Sequence, residues 1–184
     1  MAKVTTGTGD TGYTGLLGDE RVPKYDPRTE ALGDVDEATS ALGLARALCA
    51  DERVRAAVLH MQQDLYLLMG EVATPPAAAA AIAAAGIHVT PEHVAWLEAL
   101  EAELQAEVVI PNKFIIPGDT LDGAALDLAR AVIRRAERRA VRLLHEGTIA
   151  NGEILRYLNR LSDVVFILAR YLEAKQGGST QAVR

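Results

Sequence analysis

Arg130-Ala131-Val132-Ile133-Arg134-Arg135-Ala136-Glu137-Arg138-Arg139-Ala140-Val141-Arg142 is the stretch from which the rest of the chain is read. Its apolar residues recur at helical spacing, and nothing in it breaks a helix. At 3.6 residues per turn, Arg130, Arg134, Glu137 and Val141 share one stripe, and Arg135, Arg138 and Arg142 share another. Six arginines in thirteen residues stand out in a chain of net charge −6. Such a face is read either as a solvated, salt-bridged helix surface or as a cation stripe that holds an anion, with Glu137 available for a metal ion.

Working outward, the periodicity predicts a helix over about 120–146 around this stretch. A second follows the Asn151-Gly152 turn, with Leu155, Leu158, Val165 and Leu168 on its core face and Asn159 as either a surface group or a directed hydrogen-bonder. Upstream, Asp26-Pro27 predicts a helix start, with an acceptor side chain ahead of a proline, and that helix reaches about Ala50. It carries Asp36 and Glu37, read as surface charge or as partners for an arginine such as Arg130. Another helix spans about 52–73 and ends at Thr74-Pro75-Pro76. Residues 77–86 read as a linker or a short, poorly anchored helix, and Thr90-Pro91-Glu92 starts the next helix. Phe114 lies in a proline-bounded loop, where burial in the core is the default and a position over a ligand the alternative. Five helices with short connections make a single bundle.

The N-terminal segment Thr6-Gly7-Thr8-Gly9-Asp10-Thr11-Gly12-Tyr13-Thr14-Gly15 cannot be a helix. Its free N–H groups and hydroxyls suit phosphate oxygens, although a Gly/Thr-rich terminus is also the commonest kind of loose tail. It is not a Walker loop, because Gly-Lys-Ser/Thr is missing. Lys24 and Arg28 follow closely. The expected organisation is a loop at 1–25, a bundle at 26–174 and a flexible tail at 175–184.

Composition is Ala-rich, Leu-rich and poor in aromatics. No apolar run of membrane-spanning length and no signal peptide are visible, so a cytoplasmic protein without a membrane partner is expected. Cys49 is the only cysteine, which excludes an intramolecular disulfide. Acidic net charge argues against nucleic acid. The residues three before His60, His88, His93 and His145 are not acidic, which argues against a Glu-x-x-His metal site, and no nucleophile–base pair is evident.

Three blocks, in this order and spacing, resemble the PduO-type ATP:cob(I)alamin adenosyltransferases. They are Thr6-x-Thr8-Gly9-Asp10-x-Gly12-x-Thr14 with Arg21-Val22-Pro23-Lys24, then Arg134-Arg135-Ala136-Glu137-Arg138, then Tyr157-Leu158-Asn159-Arg160-Leu161-Ser162-Asp163. Gly33-x-x-Asp36-Glu37 and Phe114-x-x-Pro117-Gly118 fall at equivalent places. The resemblance covers residues 3–172. It implies an all-α fold, a single five-helix bundle of the ferritin-like, cobalamin adenosyltransferase-like kind with an N-terminal ATP loop, assembled as a homotrimer with sites between subunits.

The implied reaction moves the 5′-deoxyadenosyl group of ATP to the cobalt of cob(I)alamin and releases triphosphate; a non-catalytic ATP or adenosylcobalamin sensor or carrier is the alternative. By the same resemblance Thr6, Thr8, Gly9, Thr14 and Lys24 hold the triphosphate, with Gly7, Asp10 and Gly15 in the same loop. Arg134, Arg135, Glu137, Arg138 and Asn159 hold the rest of ATP and its Mg2+, with Glu137 nearest the metal. Asp36 and Arg130 form an intersubunit ion pair that places the corrinoid, and Phe114 crowds the lower face of cobalt. A reductase and an adenosylcobalamin-dependent client enzyme are the implied partners. Three departures stand out: Gly7 replaces the family's usual Lys or Arg, Asp119 replaces a second glycine after Gly118, and Asp36-Glu37-Ala38-Thr39-Ser40 lacks the family's frequent Leu-Asn pair.

Overall fold

The computed structural model describes residues 5, 7–18 and 20–182. Its helices begin where side chains can satisfy the free N–H groups of a first turn. Asp26 accepts from the Arg28 amide at 2.9 Å and, with Pro27, opens α1 (Pro27–Leu48). Asp51 accepts from the Arg53 and Val54 amides and opens α2 (Glu52–Val72). The Thr90 amide donates to His93 Nδ1 at the start of α4 (Pro91–Glu107). Thr120 Oγ1 accepts from the Gly123 amide and opens α5 (Leu121–His145); Asn151 Oδ1 accepts from the Glu153 amide ahead of α6 (Glu153–Ala174). α2 stops at Thr74, whose hydroxyl donates to the Gly70 carbonyl, just before two prolines.

The expected count of five helices is revised to six among the described residues. The Ala-rich stretch contains α3 (Ala79–Ala84), which has no buried residue. It follows a single 3-10 turn at Pro76–Ala78. A second revision lies at the N-terminus, where the expected loop includes an antiparallel hairpin of β1 (Tyr13–Gly15) and β2 (Arg21–Pro23), with Thr14 opposite Val22. The Leu17 amide donates to the Ala73 carbonyl and so ties this hairpin to the end of α2.

α1 packs chiefly on α5 and also on α2; α5 packs on α6, and α6 on α4. α6 is the most enclosed helix, with Tyr157, Leu158, Leu161, Val164, Val165 and Leu168 all buried. Burying that face against three neighbours is the main stabilising contribution to the bundle. Cys49 is buried at the end of α1, and burial pushes its thiol pKa up. No single described helix is long and apolar enough to cross a membrane.

The segment expected as a flexible tail runs back along the Phe114 loop. The Ile116 amide donates to the Thr180 carbonyl at 2.9 Å, and the Ala182 amide donates to the Phe114 carbonyl at 2.8 Å. Asp119 accepts from both the amide and the hydroxyl of Thr180, each at 2.6 Å. Those bonds hold the Asp119 carboxyl below the usual carboxylate range. The replacement of glycine at 119 therefore supplies the acceptor that fastens the two segments together.

Candidate functional site

The arginine stripe of α5 divides into engaged and uncommitted members. Arg135 faces α1: its Nε donates to Asp34 at 3.1 Å and its Nη2 donates to Glu37. Arg139 pairs with Glu30 at 2.9 Å and with Asp34 at 3.5 Å. These residues are the salt-bridged helix face, so within one chain Arg135 is occupied by carboxylates of α1. Arg134 is exposed, and its guanidinium has no ion pair or hydrogen bond among the described residues. Arg138 is also exposed and donates only to the Arg134 carbonyl, at 2.8 Å.

Glu137, half-buried, accepts from Asn159 Nδ2 at 3.0 Å. That bond joins α5 to α6 and answers why an asparagine sits inside a helix. The second Glu137 oxygen carries no hydrogen bond among the described residues, and no group of three or more His, Cys, Asp or Glu that could hold a metal ion stands among them, so Glu137 offers at most one contact to an ion that phosphate would carry in. Arg134, Glu137, Arg138 and Asn159 thus share one surface.

The N-terminal candidates make a second cluster. Gly7 and Gly12 take positive φ of 71° and 82°, which lets the loop turn twice before β1. Arg21 Nη2 donates to the Thr8 carbonyl at 2.6 Å and to the Tyr13 carbonyl at 3.3 Å, pinning that loop. The Lys24 amide donates to Gly12, and its ammonium lies only 3.1 Å from where a β-carbon at Gly9 would stand. Lys24 thus stands against Gly9, while Thr14 and Gly15 lie opposite Val22 and Arg21 on the hairpin; Thr6 lies outside the described residues. Arg28 is taken by Glu20 and Asp26 and is not available to a ligand.

No hydrogen bond or ion pair among the described residues joins this hairpin cluster to α5. The Asp36–Arg130 pair is not formed within the chain either. Asp36 is exposed without a described partner, whereas Arg130 lies over the Phe166 ring at 5.2 Å with its Nε buried and unsatisfied. Phe114 is 88% exposed, which corrects the default of core burial.

A family model described as cobalamin adenosyltransferase matches residues 4–172. The chain belongs to that family. It is 39% identical over 180 residues to a cobalamin adenosyltransferase from Cupriavidus metallidurans, covering 97% of this chain and 92% of that one. It is 37% identical over 179 residues to a corrinoid adenosyltransferase from Bacillus subtilis, covering 95% and 89%. Among solved structures, a variant PduO-type ATP:corrinoid adenosyltransferase from Lactobacillus reuteri, complexed with cobalamin and ATP, superposes with a TM-score of 0.87 at 32% identity, covering 99% of this chain and all of that one. A second variant of that enzyme, complexed with ATP, gives 0.86 at 31% identity, covering 98% of this chain and 100% of that one.

Two buried polar networks escaped the sequence reading. Arg170 Nη2 donates to Asp127 at 2.5 Å and to Glu173 at 2.9 Å, and its guanidinium stacks on Phe166 at 4.8 Å. Phe166 thus contacts two cations, Arg130 and Arg170, a position that helical periodicity alone does not reveal. Elsewhere Asp64 is buried on α2 and accepts from Tyr157 at 3.0 Å, with His60 and His93 each within 4 Å. Burial holds the Asp64 carboxyl above its ordinary range and pushes the Tyr157 hydroxyl well up. An aspartate in an otherwise apolar helical stripe was the available signal.

Proposed function

We propose that this protein transfers the 5′-deoxyadenosyl group of ATP to the cobalt of a reduced corrinoid, with the triphosphate as leaving group. The observation that carries the reading is the unspent cation set of α5, exposed Arg134 and Arg138 beside Glu137–Asn159, standing apart from the Lys24–Gly9 loop in the same chain. Two half-sites complementary to one polyanion, left apart in one chain, are what a site shared between subunits requires. We therefore assign the active assembly as a homotrimer, in which the hairpin of one subunit meets α5 of the next. Asp36 and Arg130 pair across the same boundary, which would satisfy the partnerless Arg130 Nε.

In the reaction, cobalt(I) supplies the electron pair, the bond from C5′ to the triphosphate oxygen breaks, and a cobalt–carbon bond forms. No protein nucleophile is needed. Lys24 and the amides around Gly9 hold the phosphates, with Thr6, Thr8 and Thr14 as hydroxyl donors. Arg134 and Arg138 stabilise the charge that builds on the leaving triphosphate. Glu137, held by Asn159, would be the residue that contacts Mg2+ brought in with ATP, and the ion would offset phosphate charge there. Holding C5′ against the metal is the other main contribution. Phe114, already presented to solvent on its loop, supplies apolar crowding at the lower corrinoid face. The reading includes a cytoplasmic location, a reductase that delivers the electron, and an adenosylcobalamin-dependent enzyme that takes the product.

The test is an anaerobic absorbance assay with chemically reduced cobalamin and MgATP, run beside Arg134→Ala. Formation of adenosylcobalamin with triphosphate release is expected, and the variant should lose about 2–4 kcal/mol of transition-state binding. Conversion that survives in the variant moves the phosphate site. Bound ligands without conversion make the protein a sensor or carrier. Phe114→Ala should keep ATP binding but lose the spectrum of cobalt(II) freed from its lower ligand.

A further inference from the structure

At the C-terminal end of α5, the whole length of that 25-residue helix away from the Phe114 loop, lies a cleft of about 660 Å3. None of the candidate ATP or corrinoid residues lines it. Its walls come from the end of α2, from α3, from the start of α4 and from the turn between α5 and α6. The surface is largely apolar, with Ala79, Ala83, Val89 and Ile149 prominent. A pocket of this size, apolar with a few convergent polar groups, has the character of a small-molecule site.

The polar groups decide what kind of molecule fits. Every formally charged residue on the lining is acidic (Glu71, Glu92 and Glu153); Glu153 is paired with Arg156 at 3.0 Å, which leaves Glu71 and Glu92 without an ion pair among the described residues. Glu71 is half-buried and has no ion pair among the described residues. Its oxygens accept only from neutral donors, the Val89 amide at 2.8 Å and Asn151 Nδ2 at 2.9 Å. A carboxylate partly withdrawn from water without a cation carries an unbalanced charge facing the cleft. His88, on the same lining, has its Nδ1 buried with no hydrogen-bond partner. Phosphates and carboxylates are repelled by such a rim, so the cleft is no extension of the triphosphate site. α3, with no buried residue of its own, forms the outer wall of the cleft.

We propose that this cleft binds a small organic cation, an amine carried on an apolar body. The ammonium sits against Glu71, and the body packs on Ala79, Ala83 and Ile149.

Tryptamine serves as the probe, with indole-3-acetate as its anionic counterpart, each titrated into the full chain and followed by amide NMR. Tryptamine should bind saturably and shift signals of residues 79–84 and 148–151, and indole-3-acetate should not. Glu71→Gln should weaken tryptamine roughly ten- to a hundredfold, the range for a hydrogen bond to a charged group. Ala83→Trp, on α3, puts a bulky ring on the wall where the guest's body packs and should weaken tryptamine at least tenfold with the bundle intact. No saturable tryptamine binding by about 10 mM, beyond which recognition is weaker than a few kcal/mol, overturns the proposal. So does equal binding of both probes, or tryptamine binding that Ala83→Trp leaves unchanged.

Discussion

At the scale of single residues, neighbours in one motif have unlike tasks. Arg134 and Arg135 are adjacent, yet Arg134 is exposed and uncommitted and Arg135 is bound to Asp34 and Glu37. Arg134→Ala should leave the urea midpoint almost unchanged, within about 0.5 kcal/mol, and remove activity. Arg135→Ala should lower the midpoint as well, by about 1 kcal/mol for two partly exposed pairs. Equal stability of the two variants would count against the division. Sequence alone identified the motif, because arginine spacing is visible in it. It did not separate the two roles, because Asp34 lies about a hundred residues earlier and only the α1–α5 packing brings it alongside.

At the scale of elements, helix starts were legible wherever a short acceptor side chain precedes a proline or an apolar period, as at Asp26 and Thr90. The hairpin was not, since three-residue strands carry too little alternation to register. Nor was the docked segment at 179–182, which depends on Asp119 finding Thr180 across a long stretch of chain. The start of α5 is the tightest joint. A β-carbon on Gly123 would stand 2.6 Å from Thr120 Oγ1 and 3.2 Å from Glu173 Oε1. Gly123→Ala should therefore destabilise the protein by about 1–3 kcal/mol, as overpacking does, despite the better helix propensity of alanine. A rise in melting temperature would show that the joint gives way.

At the scale of the whole molecule, acid should loosen the fold through competing carboxylates. The Lys175 ammonium, 2.5 Å from Asp51, and the α2 amides hold the Asp51 carboxyl below its ordinary range. The unfolded chain then takes that proton first, so this stabilisation is full above about pH 4 and is lost as pH falls further. Asp64 has the opposite sign. Burial raises its pKa, so the folded chain takes the proton first, and its contribution is full below about pH 4 and lost as pH rises through the folded-state value. Urea midpoints between neutral pH and the acid limb should fall less steeply in Asp51→Asn and more steeply in Asp64→Asn. The reverse order would show that the two groups had been assigned the wrong signs.

Cys49, buried at the end of α1 with its thiol pKa raised, has one more use. Because it is the sole cysteine, a thiol-reactive dye has a single target in each chain, and the folded protein conceals it. Labelling under native conditions then becomes a clock for opening of the core, read from one signal. The labelling rate should slow when ATP and corrinoid are added, by the factor with which they stabilise the closed bundle. A surface cysteine introduced at Tyr66, which is exposed, would react at once and set the fast end of the scale.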